Sequence, residues 1–348
     1  MSSITRVRLK PPYLLLIGAE TDPTFAKTAQ GIVQWCPDKV AGQLRFEGSQ
    51  VDLGVSDMSL TEAVEAGCGS LVLGVAPVGG AVPESWWEVI EQAARAGLDI
   101  VSGLHLRLRD RPGLAEVAEA AGAQLVDVRV PPAKLPVGNG KPRTGRRILT
   151  VGPDCAIGKK YTALALDHAL REAGEKSTYR ATGQTGIMIA GEGIPIDSVV
   201  ADFISGAAEL LSPDNDPDHF DVIEGQGSIF HPGYSGVALG LLHGSQPDGF
   251  VVCHDPLRKT VSGWPHYSLP PLAEVIEAHI RMGRRTSPDI RCVGVSVNTS
   301  KLPADERAAY LDKLAEETGL PCVDPLIDGC NGIVEHLLDT LGRSHSAH

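Results

Sequence analysis

The sequence runs Arg147-Ile-Leu-Thr-Val-Gly-Pro-Asp-Cys-Ala-Ile-Gly-Lys-Lys-Tyr-Thr162 near its middle. An apolar strand pattern leads here into a glycine-bounded loop, and a helical pattern begins near Lys159. Such a loop attracts a polyphosphate, because backbone amides, the helix dipole and the lysine ammonium group converge on it. The stretch therefore predicts a phosphate-binding loop, whose candidate ligand-binding residues are Gly152, Asp154, Cys155, Gly158, Lys159, Lys160 and Thr162.

The loop departs from the usual phosphate-loop pattern at two points. Five residues separate Gly152 from Gly158, whereas the usual spacing is about four. Lys160 stands where a serine or threonine normally supplies a hydroxyl to Mg2+, and its positive charge would repel a divalent metal. Two adjacent lysines can still neutralise a pyrophosphate with protein charge. We therefore expect a site for coenzyme A more than one for ATP turnover, and no metal site.

Length and composition indicate two globular domains. The chain has 348 residues, of which 43% are hydrophobic and 21% charged, as in globular proteins of two ordinary domains. No apolar run is long enough to span a bilayer. Pro11 and Pro12 interrupt the N-terminal segment before any long apolar core, unlike a secretory signal. We expect a cytoplasmic protein that does not bind membranes.

Charge and cysteine content restrict the function further. A net charge of −12 argues against a nucleic-acid-binding protein, because such proteins carry a basic face that displaces counterions from phosphates. The seven cysteines are odd in number and lack CxxC spacing, which predicts reduced thiols. Cys155 lies within the phosphate-binding loop, where a helix N-terminus can lower a thiol pKa. It is therefore either a small packing residue or a nucleophile.

The rest of the chain divides around the phosphate-binding loop. Strand and helix patterns alternate over residues 1–130, which predicts a three-layer domain with a mostly parallel sheet. That domain lacks the three-glycine dinucleotide fingerprint, since Gly18 has no partner glycines, and we assign it no cofactor. Prolines, glycines and polar residues predict a linker over 131–146. A phosphate-loop domain over 147–342 and a flexible tail over 343–348 follow.

A second stretch, His219-Phe-Asp-Val-Ile-Glu-Gly-Gln-Gly-Ser228, ends an apolar strand in an acid and two glycines. In phosphate-loop folds such an acid lies beside the phosphates, where it holds Mg2+ or acts as a base. His231 follows shortly after. Glu224 and His231 are therefore the candidate catalytic residues, and Ser228 is a candidate substrate-binding residue.

Further candidate substrate-binding residues lie in two segments. Gln184 and Thr185 belong to Gly183-Gln-Thr-Gly-Ile-Met-Ile-Ala-Gly-Glu-Gly193, which is so rich in glycine that we expect a loop. Arg258 and Lys259 follow the strand pattern over 250–255. These cations suit a substrate carboxylate or the 3'-phosphate of coenzyme A.

On these motifs the chain resembles a two-domain family long labelled as a domain of unknown function, some members of which are D-glutamate or D-amino-acid N-acetyltransferases. The resemblance covers nearly the whole chain and is carried by residues 152–159, 183–189, 202–209 and 224–232. It implies a Rossmann-like N-terminal domain joined to a phosphate-loop domain. It also implies transfer of acetyl from acetyl-CoA to the amine of a small amino-acid substrate. We further expect a homo-oligomer.

Two other functions stay open at this point. The long loop and the Glu224-Gly-Gln-Gly segment are also similar to dethiobiotin synthetase, which implies an ATP- and Mg2+-dependent ligase, although that enzyme has threonine where this chain has Lys160. A nucleotide or coenzyme A sensor without catalysis is the third possibility. For acetyl transfer we expect a direct reaction in which Glu224 or His231 accepts the amine proton, with a covalent route through Cys155 as the alternative.

Overall fold

The computed structural model describes residues 4–76 and 82–342, which form two compact units. The N-terminal unit comprises Thr5–Pro131 together with Gly183–Pro195, and the C-terminal unit contains Pro132–Thr182 and the chain from Ile196 onward. The predicted tail, 343–348, lies outside the described residues. Within the described ranges, each helix is too short or too polar to cross a membrane.

The N-terminal unit is built on a parallel sheet of five strands. Three of these strands, Tyr13–Gly18 (β2), Ser70–Leu73 (β4) and Asp99–Ser102 (β5), are buried along their whole length. Burial on both faces explains why their sequences are almost continuously apolar. The edge strands are Val40–Arg45 (β3), beside β2, and Leu125–Asp127 (β6), beside β5.

Helices and a small two-stranded ribbon complete this unit. The ribbon pairs Thr5–Arg6 (β1) with Glu192–Gly193 (β9). The α-helices are Lys27–Trp35 (α1), Leu60–Glu65 (α2), Glu84–Arg95 (α3), Leu114–Ala121 (α4) and Gln184–Ala190 (α6). Short 3-10 turns cover Pro23–Phe25, Pro37–Lys39 and Leu108–Asp110.

The helix α6 corrects a prediction, since the glycine-rich segment around it was expected to be a loop. Ile187 and Met188 of this helix are buried, and α6 packs against α1 of the same unit. Gly191, with φ of +77°, ends the helix in the left-handed conformation that favours glycine. Gly191 therefore marks the end of a helix and does not indicate irregular chain.

The C-terminal unit is built on a parallel sheet of six strands. These strands are Arg146–Val151 (β7), Lys176–Arg180 (β8), His219–Ile223 (β10), Gly249–His254 (β11), Arg291–Val297 (β14) and Cys322–Val323 (β15). Their order across the sheet is β15-β14-β11-β7-β10-β8. The central strand β7 pairs with β10 and β11, with Ile148 opposite both Val222 and Gly249. The carboxyl ends of β7, β10 and β11 therefore meet at one edge, where ligands bind in open sheets of this kind.

Helices flank the sheet, and a hairpin follows β11. The α-helices are Lys159–Glu172 (α5), Ile204–Leu211 (α7), Ser235–Ser245 (α8), Leu272–Gly283 (α9), Arg307–Thr318 (α10) and Asn331–Leu341 (α11). The hairpin pairs Thr260–Val261 (β12) with Trp264–Ser268 (β13). Short 3-10 turns cover Ile196–Ser198 and Ala201–Phe203. Two parallel three-layer arrangements thus confirm the predicted α/β fold class.

Candidate active site

The phosphate loop, residues 152–158, connects the end of β7 to the start of α5. Gly158 caps α5 with φ of +109°, a conformation that residues with side chains rarely adopt, and no side chain caps the helix. At the other end of the loop, a Cβ on Gly152 would lie 2.8 Å from the carbonyl oxygen of Cys253. The amide end of a helix of 14 residues thus faces the loop, as an anion site requires.

Lys159 is the first residue of α5, and its side chain returns across the loop. The side chain is 7% exposed, and its Nζ donates a hydrogen bond of 2.6 Å to the carbonyl oxygen of Asp154. Burial lowers the pKa of this lysine from its usual value. The ammonium group is therefore held against the loop by contacts within the loop itself.

Asp154 and Arg258 form a buried clamp on the loop. The Asp154 carboxylate is fully buried and accepts hydrogen bonds from the amide of Cys155 at 2.7 Å and the amide of Ser262 at 2.9 Å. Arg258 Nη1 donates to the same carboxylate at 2.9 Å and to the carbonyl oxygen of Cys155 at 2.8 Å. In its described contacts, Arg258 therefore holds the loop. Its predicted contact with a substrate carboxylate stays a prediction.

The two remaining predicted loop ligands face different surroundings. Lys160 is partly buried, with its Nζ 4.4 Å from the centroid of the Tyr161 ring. Thr162 is fully buried, and its hydroxyl lies 2.7 Å from Ser296 Oγ and donates to the Gly158 carbonyl at 3.1 Å. The Thr162 hydroxyl thus bonds to buried groups of the core.

Glu224 lies directly after β10 and precedes Gly225, which packs against the loop lysine. Its carboxylate is 4% exposed and accepts hydrogen bonds from the Tyr179 hydroxyl at 3.0 Å and the Thr182 amide at 2.9 Å. Burial, followed by the negative charge of Glu224, raises the pKa of Tyr179 well above its usual value. Tyr179 therefore stays protonated. Its hydroxyl donates the hydrogen bond that orients the Glu224 carboxylate.

Gly225 allows Glu224 to approach the phosphate loop. A Cβ on Gly225 would lie 1.7 Å from the carbonyl oxygen of Thr150 and 2.9 Å from Lys159 Cδ. The Gly225 amide donates to the Thr150 hydroxyl at 2.9 Å. A residue with a side chain cannot occupy this position without displacing β7 or the lysine, so the close approach depends on glycine.

His231 follows Glu224 in a tight turn that also contains Ser228. Ser228 is buried, its hydroxyl accepts from the Phe230 amide at 3.1 Å, and its carbonyl accepts from the His231 amide at 3.0 Å. The His231 ring is 1% exposed and lies between Tyr234, with centroids 4.4 Å apart, and Trp264 at 4.7 Å. Burial lowers the pKa of His231. The negative charge of Asp154 opposes this shift, and the positive charge of Lys159 adds to it.

The structure brings Asp154, Cys155 and His231 together, with one potential ligand atom of each within 4.8 Å of the others. A divalent cation there would compete with the Arg258 guanidinium for the Asp154 carboxylate. The Asp154 carboxylate is therefore already engaged by an ion pair, although Asp, Cys and His are residue types that bind Zn2+. The structure also places the loop thiol and the buried imidazole of the C-terminal unit in one cluster.

The remaining predicted substrate-binding residues are not members of the cluster of Asp154, Cys155 and His231. Lys259 is exposed, and its carbonyl accepts from the Leu269 amide across the hairpin. Gln184 and Thr185 belong to α6 in the N-terminal unit, where the Thr185 hydroxyl donates to Thr28 Oγ1 at 3.1 Å. Their substrate-binding roles, like those of Ser228 and Lys259, stay predictions.

Tyr179, Trp264 and His279 were not identified from the sequence. Tyr179 lies on a strand whose pattern showed only alternation, and Trp264 reaches His231 from the hairpin more than 30 residues away. His279 lines the same small cavity as Lys159, Gly225 and Ser228. The available signal for His279 was its position four residues after Val275 and four before Gly283, on the buried face of the amphipathic helix α9.

The sheet order, the phosphate loop and its buried lysine define a P-loop domain that accompanies a Rossmann-like domain. The chain belongs to the DUF1611 family. Its residues 136–334 match the family's P-loop domain of unknown function, and residues 44–131 match the Rossmann-like N-terminal domain of unknown function. The resemblance inferred from the motifs is thereby confirmed.

Curated relatives and a solved structure agree with this assignment. The chain is 48% identical to a protein of Tritonibacter scottomollicae over 94% of this chain and 99% of the relative, and that protein is named D-glutamate N-acetyltransferase. A protein of Pseudoalteromonas sp with the same name is 44% identical over 95% and 100% of the two chains. The crystal structure of a DUF1611 family protein from Anabaena variabilis has a TM-score of 0.85, 31% identity, and coverage of 94% and 99%.

Proposed function

We propose that this protein is an N-acetyltransferase that moves an acetyl group from acetyl-CoA to the amino group of D-glutamate or a related D-amino acid. The observation that carries the proposal is the near full-length identity, 48% and 44%, to two relatives named for that activity. The buried Glu224 carboxylate supplies the base that amide formation needs, and the buried His231 imidazole lies beside the phosphate loop.

The composition of the phosphate loop supports acetyl-CoA as the co-substrate. Lys159 and Lys160 supply two positive charges at the start of α5, together with the amide end of the helix. The Thr162 hydroxyl bonds to Ser296 and Gly158 and does not supply a ligand for Mg2+. Protein charge can therefore neutralise the pyrophosphate of coenzyme A without a bound metal ion.

Glu224 is the proposed general base. The substrate amine arrives as an ammonium ion, so it must lose a proton before its lone pair can attack the thioester carbonyl. Tyr179 and the Thr182 amide orient the carboxylate. Glu224 accepts this first proton, and the free amine then attacks the thioester carbonyl to form the carbon–nitrogen bond. As the tetrahedral intermediate collapses, the carbon–sulfur bond breaks and coenzyme A leaves with the bonding electron pair. The second amine proton passes to the departing thiolate.

Coupled release of coenzyme A and formation of the N-acetyl product would test the proposal. The assay compares D-glutamate with L-glutamate and other amino acids, measures free thiol, and identifies the product by mass spectrometry. We expect acetylation of D-glutamate in the presence of EDTA. Release of ADP from Mg-ATP, with no thiol release from acetyl-CoA, would replace the proposal with the ligase that the loop spacing also suggests.

A pair of lysine variants sharpens this test. Lys160→Thr restores the hydroxyl of the usual phosphate-loop pattern, and we expect a roughly tenfold rise in the apparent KM for acetyl-CoA from the lost charge. Lys313→Ala removes a lysine that is 73% exposed on α10 and should leave the KM unchanged. An unchanged KM in Lys160→Thr would contradict the role given to Lys160.

A further inference from the structure

We infer that His231 acts as a neutral hydrogen-bond donor, through Nε2–H, to the oxygen of the acetyl thioester, and does not act as a proton acceptor. The inference rests on the proposed acetyl transfer and assigns one of its two candidate bases a different task. It leaves Glu224 as the proposed base.

The hydrogen bond at Nδ1 fixes the tautomer of the ring. The Gly233 amide lies 3.0 Å from His231 Nδ1, and a backbone N–H can only donate. Nδ1 must therefore present its lone pair to this amide. In a neutral imidazole the single ring proton is then on Nε2, so Nε2 can donate a hydrogen bond but cannot accept a proton.

The surroundings of His231 hold the ring in this neutral form. Protonation at Nδ1 would turn two N–H groups toward each other across 3.0 Å. Tyr234 and Trp264 pack on the ring, which is 1% exposed, so water does not solvate an imidazolium ion there. The charged groups nearby are Lys159, which opposes protonation, and Asp154, which favours it but already pairs with Arg258 at 2.9 Å.

The position of the ring matches the site where charge develops during acetyl transfer. The His231 ring contributes a ligand atom within 4.8 Å of the Cys155 thiol and the Asp154 carboxylate, at the loop that is proposed to bind acetyl-CoA. When the amine attacks, the π electrons of the thioester carbonyl move to its oxygen. A preorganised donor stabilises that oxyanion, while the proton stays on Nε2.

The same tautomer bears on the route through Cys155. A covalent acetyl-cysteine route needs a base that removes the thiol proton. His231 cannot take this proton at Nε2, and at Nδ1 the lone pair is occupied by Gly233. His231 therefore does not form a Cys–His dyad with Cys155, which favours direct attack of the amine on acetyl-CoA.

Nitrogen NMR on protein labelled with 15N-histidine tests the tautomer without reference to activity. The His231 signals are assigned by their loss in His231→Gln, and the spectra are recorded from pH 5 to pH 8 with and without acetyl-CoA. We expect an unprotonated Nδ1, a protonated Nε2 throughout this range, and a shift of the Nε2–H proton when acetyl-CoA is added. A protonated Nδ1, or an Nε2–H that ignores acetyl-CoA, would overturn the inference.

Two variants separate donation from proton acceptance in the reaction. His231→Gln keeps an N–H donor near the position of Nε2, whereas His231→Ala removes it. We expect kcat to fall less than about tenfold in the first variant and about 10²- to 10³-fold in the second, with the acid limb of the kcat/KM profile unchanged in His231→Gln. An equal fall in kcat in both folded variants, or loss of the acid limb of the kcat/KM profile in His231→Gln, would indicate that His231 is the base. Absence of thiol release from the wild-type protein would refute the proposed function instead, and the NMR result would still decide the tautomer.

Discussion

Breaking the clamp between Asp154 and Arg258 should destabilise the phosphate loop by a measurable, coupled amount. Asp154→Asn keeps the size of the side chain but removes the charge that accepts two amide hydrogen bonds and the Arg258 ion pair. Loss of one partner of a fully buried pair costs about 3–5 kcal/mol. Arg258 is 21% exposed, so solvent screening reduces the expected cost to about 2 kcal/mol.

A double-mutant cycle with Arg258→Gln isolates this interaction. Each single variant leaves one charge unpaired, whereas the double variant leaves no unpaired charge, so we expect a coupling free energy of about 1–2 kcal/mol. Urea unfolding is followed by 19F NMR of protein labelled with 5-fluorotryptophan, because Trp264 reports on the C-terminal unit and the other three tryptophans lie in the N-terminal unit.

The pair Arg307 and Asp328 is a matched control in the same unit. It is joined at 3.1 Å with Asp328 39% exposed, and its cycle should give less than about 1 kcal/mol. Additive effects of Asp154→Asn and Arg258→Gln, with a coupling no larger than in the control pair, would refute the clamp.

Three further predictions follow from the same geometry. Lys159→Ala should raise the apparent KM for acetyl-CoA at least about tenfold in steady-state assays, since it removes the buried ammonium group of the loop, and an unchanged KM would contradict that assignment. Gly225→Ala should lower the free energy of unfolding in urea by at least about 3 kcal/mol, because its Cβ would overlap the Thr150 carbonyl. Gly236→Ala is the control, since a Cβ there meets no heavy atom within 4 Å, and it should be tolerated. Equal losses of stability in the two variants would contradict the close approach. Burial lowers the pKa of His279 from 6.5 to about 4, so the unfolded chain binds more protons between these values and stability falls as the pH drops from 6.5 toward 4. The loss at pH 5 relative to pH 7 should be about 2 kcal/mol. His279→Asn should remove it and His168→Asn on the exposed face of α5 should not; the same acid sensitivity in His279→Asn would disprove the effect.

Local patterns predicted the elements that build the phosphate site. The strand β7, the glycine-bounded loop and the helix from Lys159 lie within 27 consecutive residues, from Arg146 to Glu172, so one local stretch determines their order and spacing. The strand β10 and the acid after it were predicted for the same reason. Because parallel strands share a carboxyl edge, these two predictions together placed Glu224 near the loop lysine.

Interactions between distant residues could not be predicted in this way. Asp154 and Arg258 are 104 residues apart, and no local rule pairs an acid in a loop with one particular arginine. The tautomer of His231 depends on the Gly233 amide, which is set by the turn conformation and not by residue type.

Glycine-rich helices were the other source of error and omission. The helix α6 was predicted to be a loop, and α8 was not predicted at all, although Gly236, Gly240 and Gly244 are spaced four apart along it. A Cβ on Gly244 would lie 2.2 Å from the Ser205 carbonyl oxygen, so glycine here permits α7 and α8 to pack closely. Propensity alone disfavours glycine in helices, and tertiary packing reverses that preference.

Isothermal titration calorimetry of acetyl-CoA and of ATP, each with EDTA and with Mg2+, tests most directly the proposal that this loop binds coenzyme A through protein charge. The account predicts that acetyl-CoA binds with the same Kd in EDTA and in Mg2+, and that Lys159→Ala weakens this binding. Tight binding of ATP that requires Mg2+, together with no heat of binding for acetyl-CoA, would contradict the account.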